Sequence, residues 1–276
     1  MRSISLLGVR IDDLSPNELS ARFLDLFHRS EPSLVVTPNP EFLLAARSSP
    51  EFRTVLNSSA LSLPDGVALR FAAAALHDLH DLHRYPGIDV LPMLAEICRD
   101  REVPLVLLGG TDDILVQIQL YFTTLFQGIK IIAINPGSIS HQNPCIEEGI
   151  IERMRGFGPC VIAVALGQGS GASQGKQEFV ASQIASSVPN ARIVIGVGGA
   201  FNVLSGRIRR APMIFRRFGF EWAWRLCMEP WRFRRIFSAA FIFPIVVARD
   251  TMAKQRFLRA LVSVFQELRS HFLSRS

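Results

Sequence analysis

At 276 residues with 49% hydrophobic side chains, the chain has enough apolar content for one large domain with an appendage, or for two small domains. Its four scattered cysteines, Cys98, Cys145, Cys160 and Cys227, form no CxxC and no short Cys/His spacing, which argues against a zinc site and a secreted disulfide framework and for a reducing compartment. The formal net charge of +6 is unevenly placed: residues 205–276 hold 15 Lys+Arg against 4 Asp+Glu, a net of +11, whereas residues 1–204 carry a net of −5.

The N-terminal stretch MRSISLLGVRIDDLS has too short an apolar run for a signal peptide. Residues 34–37 predict a buried strand, and 40–49 predict a helix opening on Pro40 with Glu41 beside it. Residues 60–63 are a short apolar run ending at the turn Pro64-Asp65-Gly66, and 67–76 are helical in composition. A strong strand over 103–108 runs into Gly109-Gly110-Thr111-Asp112, followed by a helix over 113–126. A strand over 130–134 ends in Asn135-Pro136-Gly137. Another over 160–166 leads into the glycine-rich loop 167–175 and a helix from Lys176. The last strand, 192–197, ends at Gly198-Gly199. Strands alternating with helices predict an α/β fold, a Rossmann-like and mostly parallel sheet flanked by helices. The change of character near residue 205 predicts an α/β domain over 1–204 and a basic, aromatic-rich, helical appendage over 205–276.

The appendage holds all three tryptophans, Trp222, Trp224 and Trp231, among arginines and phenylalanines. That mixture suits an anionic partner with a greasy or stacking face: nucleic acid, a membrane surface, or a phosphate-bearing lipid or sugar nucleotide. A plain solvated basic face is the alternative, and the tryptophans weigh against it because indoles favour interfaces. Residues 236–248 are the most apolar late segment, thirteen residues interrupted by Pro244. A bilayer crossing takes about 20 apolar helical residues. The segment is therefore expected to lie among headgroups or pack on protein, not to span.

Polar residues collect just after the predicted strands: Thr37 and Asn39, Asp65, the Gly109 loop, the 167–175 loop and Asn202. Ligands of open α/β sheets bind beyond the carboxyl ends of the strands, so these loops are expected to converge on one cleft. In Thr37-Pro38-Asn39-Pro40 the prolines fix φ and remove donors, leaving an amide that reads sugar hydroxyls or a base edge, or merely caps a helix. Asp65 suits a general base and equally an ordinary Asp-Gly turn. The 167–175 loop fails GxxxxGK[ST], because Ser170 stands five before Gly175 and Gln177 follows Lys176, and fails GxGxxG at Ala172. It remains a glycine loop whose amides can touch an anion. With no HExxH, Asp-x-Asp or Cys/His cluster, neither a metal site nor a cofactor is predicted.

Several short motifs follow in order: Thr37-Pro-Asn-Pro-Glu41, Leu63-Pro-Asp-Gly66, Gly87-Ile-Asp89, Val106-Leu-Leu-Gly-Gly110, Lys176-Gln-Glu178, Gly196-Val-Gly-Gly-Ala-Phe201, Ser205-Gly206, Arg210-Ala-Pro212, and Phe220-Glu-Trp222 through Arg225, Glu229-Pro230, Arg232 and Arg235. The ordered set resembles the WecG/TagA/CpsF family of bacterial glycosyltransferases, glycosyltransferase family 26. The resemblance implies inverting, metal-independent transfer of a sugar from a UDP-sugar donor (N-acetylmannosamine, N-acetylmannosaminuronate or glucose) to a polyprenyl-diphosphate-linked sugar acceptor, in cell-surface or exopolysaccharide biosynthesis. It implies a cytoplasmic enzyme, peripheral on the inner face of the cell membrane through residues 205–276, without a nucleic-acid partner. Self-association is a further expectation from the family.

Residue by residue, the resemblance makes Asp65 the catalytic base and Thr37 and Asn39 active-site polar groups. Arg84 and Gln177 become pocket residues, and Arg225, Arg232 and Arg235 the appendage arginines that hold diphosphate and help close the site. Asn202, assigned to substrate binding, stands where the family commonly has Asp and lacks its charge. The family's compact Gly-x-Pro-Lys-Gln-Glu loop is also changed, with eight residues between Gly167 and Lys176, and Arg84-Tyr85-Pro86 replaces the usual Arg-Val-x. These departures motivate the alternative of a catalytically altered member that binds lipid-linked sugar or acts as a scaffold.

Overall fold

The computed structural model describes residues 1–140, 142–166, 175–230 and 233–273. The main sheet has six parallel strands in the order β4-β3-β8-β7-β5-β6. These are β3 (Ser33–Val36), β4 (Leu61–Ser62), β5 (Leu105–Leu108), β6 (Ile131–Ile134), β7 (Cys160–Val164) and β8 (Ala191–Gly196). The α/β reading holds. Strands β5 and β7 are buried along their whole length, as expected of a parallel sheet covered on both faces.

Alternate strand residues feed two cores. Val106, Leu108, Ile162, Val164 and Val194 face α2 (Pro40–Ser48), α3 (Pro50–Ser58), α4 (Val67–His77), α7 (Glu148–Arg155) and α8 (Lys176–Ser187). Leu105, Leu107, Val161, Ala163, Ile193 and Ile195 face α1 (Pro16–His28), α5 (Gly87–Asp100), α6 (Asp112–Leu125) and α9 (Ala200–Leu204). A separate antiparallel hairpin, β1 (Arg2–Leu6) and β2 (Val9–Asp13), adds Ile4, Leu6, Val9 and Ile11 to the first core.

After β8 the chain forms α10 (Met213–Arg217), α11 (Glu221–Met228), α12 (Phe233–Phe237), a π-turn (Ser238–Ile242), α13 (Phe243–Ala253) and α14 (Phe257–Leu273). Pro244 does not interrupt the apolar segment as expected from its sequence. It falls in the first turn of α13, where the preceding π-turn absorbs the clash that its ring would otherwise make with the helix backbone. Phe233–Ala253 is therefore a continuous helix of 21 residues. Among the described residues it is the one helix long and apolar enough, by length and composition, to cross a membrane.

Phe243, Val247 and Thr251, four apart, bury one face of α13, which packs on α4. Helix α14 also packs along α4. There Arg70 Nε donates to Glu267 Oε1 at 2.7 Å, Asp81 N–H donates to Glu267 Oε2 at 3.0 Å, and Ser263 Oγ donates to Asp78 Oδ1 at 2.7 Å. The outward faces remain apolar: Phe237 on α12, Phe241 in the π-turn, Ile245 and Met252 on α13, and Leu258, Leu261, Val262 and Phe265 on α14 are all exposed.

Candidate active site

The carboxyl ends of all six parallel strands open on one cavity of about 840 Å³, within the range of small-molecule sites. Strand β3 delivers Thr37 and Asn39, β4 delivers Asp65, and β8 delivers the segment from Val197 to Asn202. The loops after β5, β6 and β7 supply Gly109, Pro136 and Ala165. The chain leaves β5 toward β6 and leaves the neighbouring β7 toward β8, so the strand order reverses between them. Such a switch point is where open α/β sheets hold ligands. From the tail, Glu221, Trp222, Arg225 and Arg235 also line the cavity.

Local backbone chemistry sets these groups in place. Thr37 Oγ1 donates to the Gly196 carbonyl at 3.1 Å, tying the end of β3 to that of β8. Asn39 Oδ1 accepts from Phe42 N–H at 3.0 Å and so caps α2 while its residue lines the wall. Asp65 N–H donates to the Pro38 carbonyl at 2.8 Å, and Gly66 follows at φ +100°, a conformation that favours glycine. Gly109 combines φ +110° with a close approach: a Cβ there would lie 2.4 Å from the Ala165 carbonyl oxygen.

Asp65 is half-buried. Burial, and then the nearby Glu221, push its carboxyl up to about 6. Arg84 and Arg225 pull it down, and Asp89 adds a smaller upward push. Among the described residues nothing hydrogen-bonds this carboxylate. Five cations among the described residues line the cavity (Arg84, Lys176, Arg207, Arg225 and Arg235) against four acids (Glu41, Asp65, Glu221 and Glu229). Arg235 Nε donates to Glu41 Oε2 at 2.7 Å, and Arg210 pairs with Asp89.

The structure therefore brings together Thr37, Asn39, Asp65, Arg84, Asn202, Arg225 and Arg235. It does not bring Gln177 to the wall. That side chain is 1% exposed, with Oε1 accepting from Gly198 N–H at 3.0 Å and Nε2 donating to Glu178 Oε1 at 2.8 Å. Its contact with the cavity runs through Gly198, which does line it. Arg232, Trp231 and residues 167–174 lie outside the described residues. Glu41, Lys176, Arg207, Glu221 and Glu229 also line the cavity, although the sequence reading gives them no role. Glu41, Lys176, Glu221 and Glu229 stand inside motifs already quoted, Glu41 two residues after Asn39 and Lys176 beside Gln177, and that proximity is the signal that could have found them.

A family-wide sequence model described as "Glycosyl transferase WecG/TagA/CpsF family" matches residues 4–257. Two similar proteins are both named N-acetylglucosaminyldiphosphoundecaprenol N-acetyl-beta-D-mannosaminyltransferase. The one from Bacillus spizizenii is 27% identical over 222 residues, covering 80% of each chain. The one from Bacillus subtilis is 26% identical over 225 residues, covering 82% of each.

Proposed function

The chain belongs to the WecG/TagA/CpsF family of glycosyl transferases, and from that premise we propose that it moves a sugar from a UDP-sugar to a polyprenyl-diphosphate-linked sugar, with inversion. The names of the two relatives make N-acetylmannosamine the first donor to try and an N-acetylglucosaminyl-diphosphate lipid the first acceptor. The observation that carries the reading is Asp65, at the end of β4, on the wall of a cavity also lined by Arg84 and Arg225.

In this mechanism the Asp65 carboxylate accepts the proton of the acceptor hydroxyl. The hydroxyl oxygen forms a bond to the donor's anomeric carbon as the bond from that carbon to the UDP β-phosphate oxygen breaks on the opposite face. The electron pair leaves with UDP. Its charge is met by Arg84 and Arg225, with Lys176 and Arg207 also on the wall, which is the role we give these cations in place of a metal. A carboxyl held at about 6 is mostly ionised at neutral pH and still basic enough to take a proton in the transition state.

The exposed apolar rows on α12–α14, with the arginines around them, support peripheral attachment to the inner face of the membrane. One face of α13 is already committed to α4, which favours a helix lying on the membrane over one crossing it. In this reading residues 1–204 form the catalytic unit, and 205–276 roof the cavity and face the lipid.

Turnover of UDP-N-acetylmannosamine with a short-chain polyprenyl-diphosphate-N-acetylglucosamine is the direct test, with UDP-glucose and UDP-N-acetylmannosaminuronate as further donors. Loss of about 10²–10⁴ in rate is expected for Asp65→Asn. No product with any donor would sink the proposal. Asn202 on the cavity wall favours one second reading, a binding or scaffold protein, and UDP binding without turnover would select it.

A further inference from the structure

The ion pair between Glu41 and Arg235 joins the body to the tail across the cavity. Glu41 is the second residue of α2, and its place is fixed by Pro40 and by the Asn39 cap. Arg235 lies on α12, next to the π-turn that itself contacts α2. The two side chains are only 12% and 14% exposed and both line the cavity. A shielded pair of this kind is weakly screened by salt. Arg210 with Asp89, another pair between tail and body at this end of the sheet, is more exposed, at 33% and 48%, and is a weaker tether; the buried Arg70–Glu267 pair holds α14 on α4 instead.

We propose that Glu41 is a positioning residue for the phosphate-binding side of the site: it holds Arg235, and with it α12, against the cavity so that the guanidinium is set for a diphosphate. The inference rests on the glycosyltransferase reading for the identity of the ligand, but the tether itself does not. Two features argue for positioning over simple neutralisation. The carboxylate meets Arg235 through Nε, one edge of the guanidinium, so the pair fixes the orientation of the plane as well as its charge. Glu41 also stands at a helix N-terminus, where its negative charge is favoured without Arg235.

The test compares the full-length protein with Glu41→Gln and with the charge-swapped double variant Glu41→Arg/Arg235→Glu. Inorganic pyrophosphate and UDP are titrated calorimetrically, and trypsin cleavage within residues 207–235 is timed without ligand. For Glu41→Gln we expect pyrophosphate affinity to fall about tenfold, cleavage to speed up, and the melting temperature to stay within a few degrees. The double variant should regain trypsin resistance without regaining pyrophosphate affinity. Unchanged cleavage and affinity in Glu41→Gln would overturn the proposal, and so would tighter pyrophosphate binding, which would make Glu41 a competitor of the ligand. If wild type binds neither anion, the glycosyltransferase reading fails and cleavage alone decides the tether.

Discussion

Arg70 and Glu267, 197 positions apart, meet in a buried ion pair that fixes α14 to α4. Arg70 is 5% exposed and Glu267 is fully buried, and Glu267 also accepts from the Asp81 N–H at 3.0 Å. Removing Arg70 leaves the Glu267 charge buried, and removing Glu267 leaves Arg70 only its exposed partner Asp81, at 2.7 Å, at a cost of up to about 3–5 kcal/mol. Glu267→Ala should therefore lower the denaturant midpoint markedly. Replacing both residues with apolar ones of similar volume, Arg70→Met with Glu267→Leu, should recover much of the loss. Equal destabilisation in single and double variants would show that the pair is not what holds α14.

The pH dependence of transfer tests the field around Asp65. As the proposed base, Asp65 has to be ionised, so kcat/KM should fall as pH drops through about 6 and level off above neutrality. Glu221 raises this carboxyl, so Glu221→Gln should move the acid limb to lower pH. Arg84 and Arg225 lower it, so Arg225→Gln should move the limb to higher pH while also slowing turnover. An acid limb that stays put in both variants would remove Asp65 as its origin.

Much of the fold was legible because the strands of the main sheet are short, largely apolar runs; five of the six lie within two residues of their predicted bounds, and the sixth, Leu61–Ser62, falls in a run read only as apolar. Asp65 and Asn39 were legible because each sits at a strand-to-helix turn marked by proline. The N-terminal hairpin was not. Its turn uses Leu7 at φ +51° and Gly8 at φ +86°, without the Asn-Gly or Asp-Gly pair that usually announces such a turn. Long-range partners were hidden for a different reason. Nothing local to Glu41 points to Arg235, and nothing in α14 points to Arg70, because folding alone makes these residues neighbours. The π-turn that accommodates Pro244 likewise has no sequence mark of its own, so an apolar helix looked shorter than it is.

Glu178 makes stability depend on pH. Burial pushes its carboxyl up to about 7, against the pull of the Gln177 amide, its own backbone N–H and Arg235. The folded value lies above the ordinary 4.5, so the associated stability is fully present below pH 4.5 and is lost as pH rises through about 7. Wild-type melting temperature should thus decline from about pH 4.5 to about 7 and level off above. Glu178→Gln should flatten this decline and melt higher than wild type on the alkaline side. Identical pH profiles for the two proteins would exclude Glu178 as the source.

Gln177 makes a separable prediction at the same site. It supports the cavity through the Gly198 N–H at 3.0 Å while remaining buried, so Gln177→Ala should act indirectly. The loss of one buried hydrogen-bond partner costs about 1–3 kcal/mol. Weaker UDP binding should accompany that loss, with the Asp65 acid limb unmoved. A shifted limb with normal UDP binding would place Gln177 in the chemistry instead.

Membrane attachment can be tested on the exposed faces without touching the cavity. Phe241 and Ile245 lie four apart, each 56% exposed, and Phe265 on α14 is 66% exposed. Full burial of such a side chain is worth about 1.5–3 kcal/mol, so even partial insertion of two gives more than tenfold in affinity, roughly. Phe241→Ser with Ile245→Ser should therefore weaken binding to vesicles containing anionic phospholipid by about tenfold or more, with UDP affinity unchanged. Raising salt should weaken the arginine contribution in wild type and variant alike, while the apolar difference between them persists, because screening acts on exposed charge and not on buried carbon. If the double variant binds vesicles as wild type does at both salt concentrations, the lipid-facing surface lies elsewhere and the exposed rows on α12 and α13 need a protein partner.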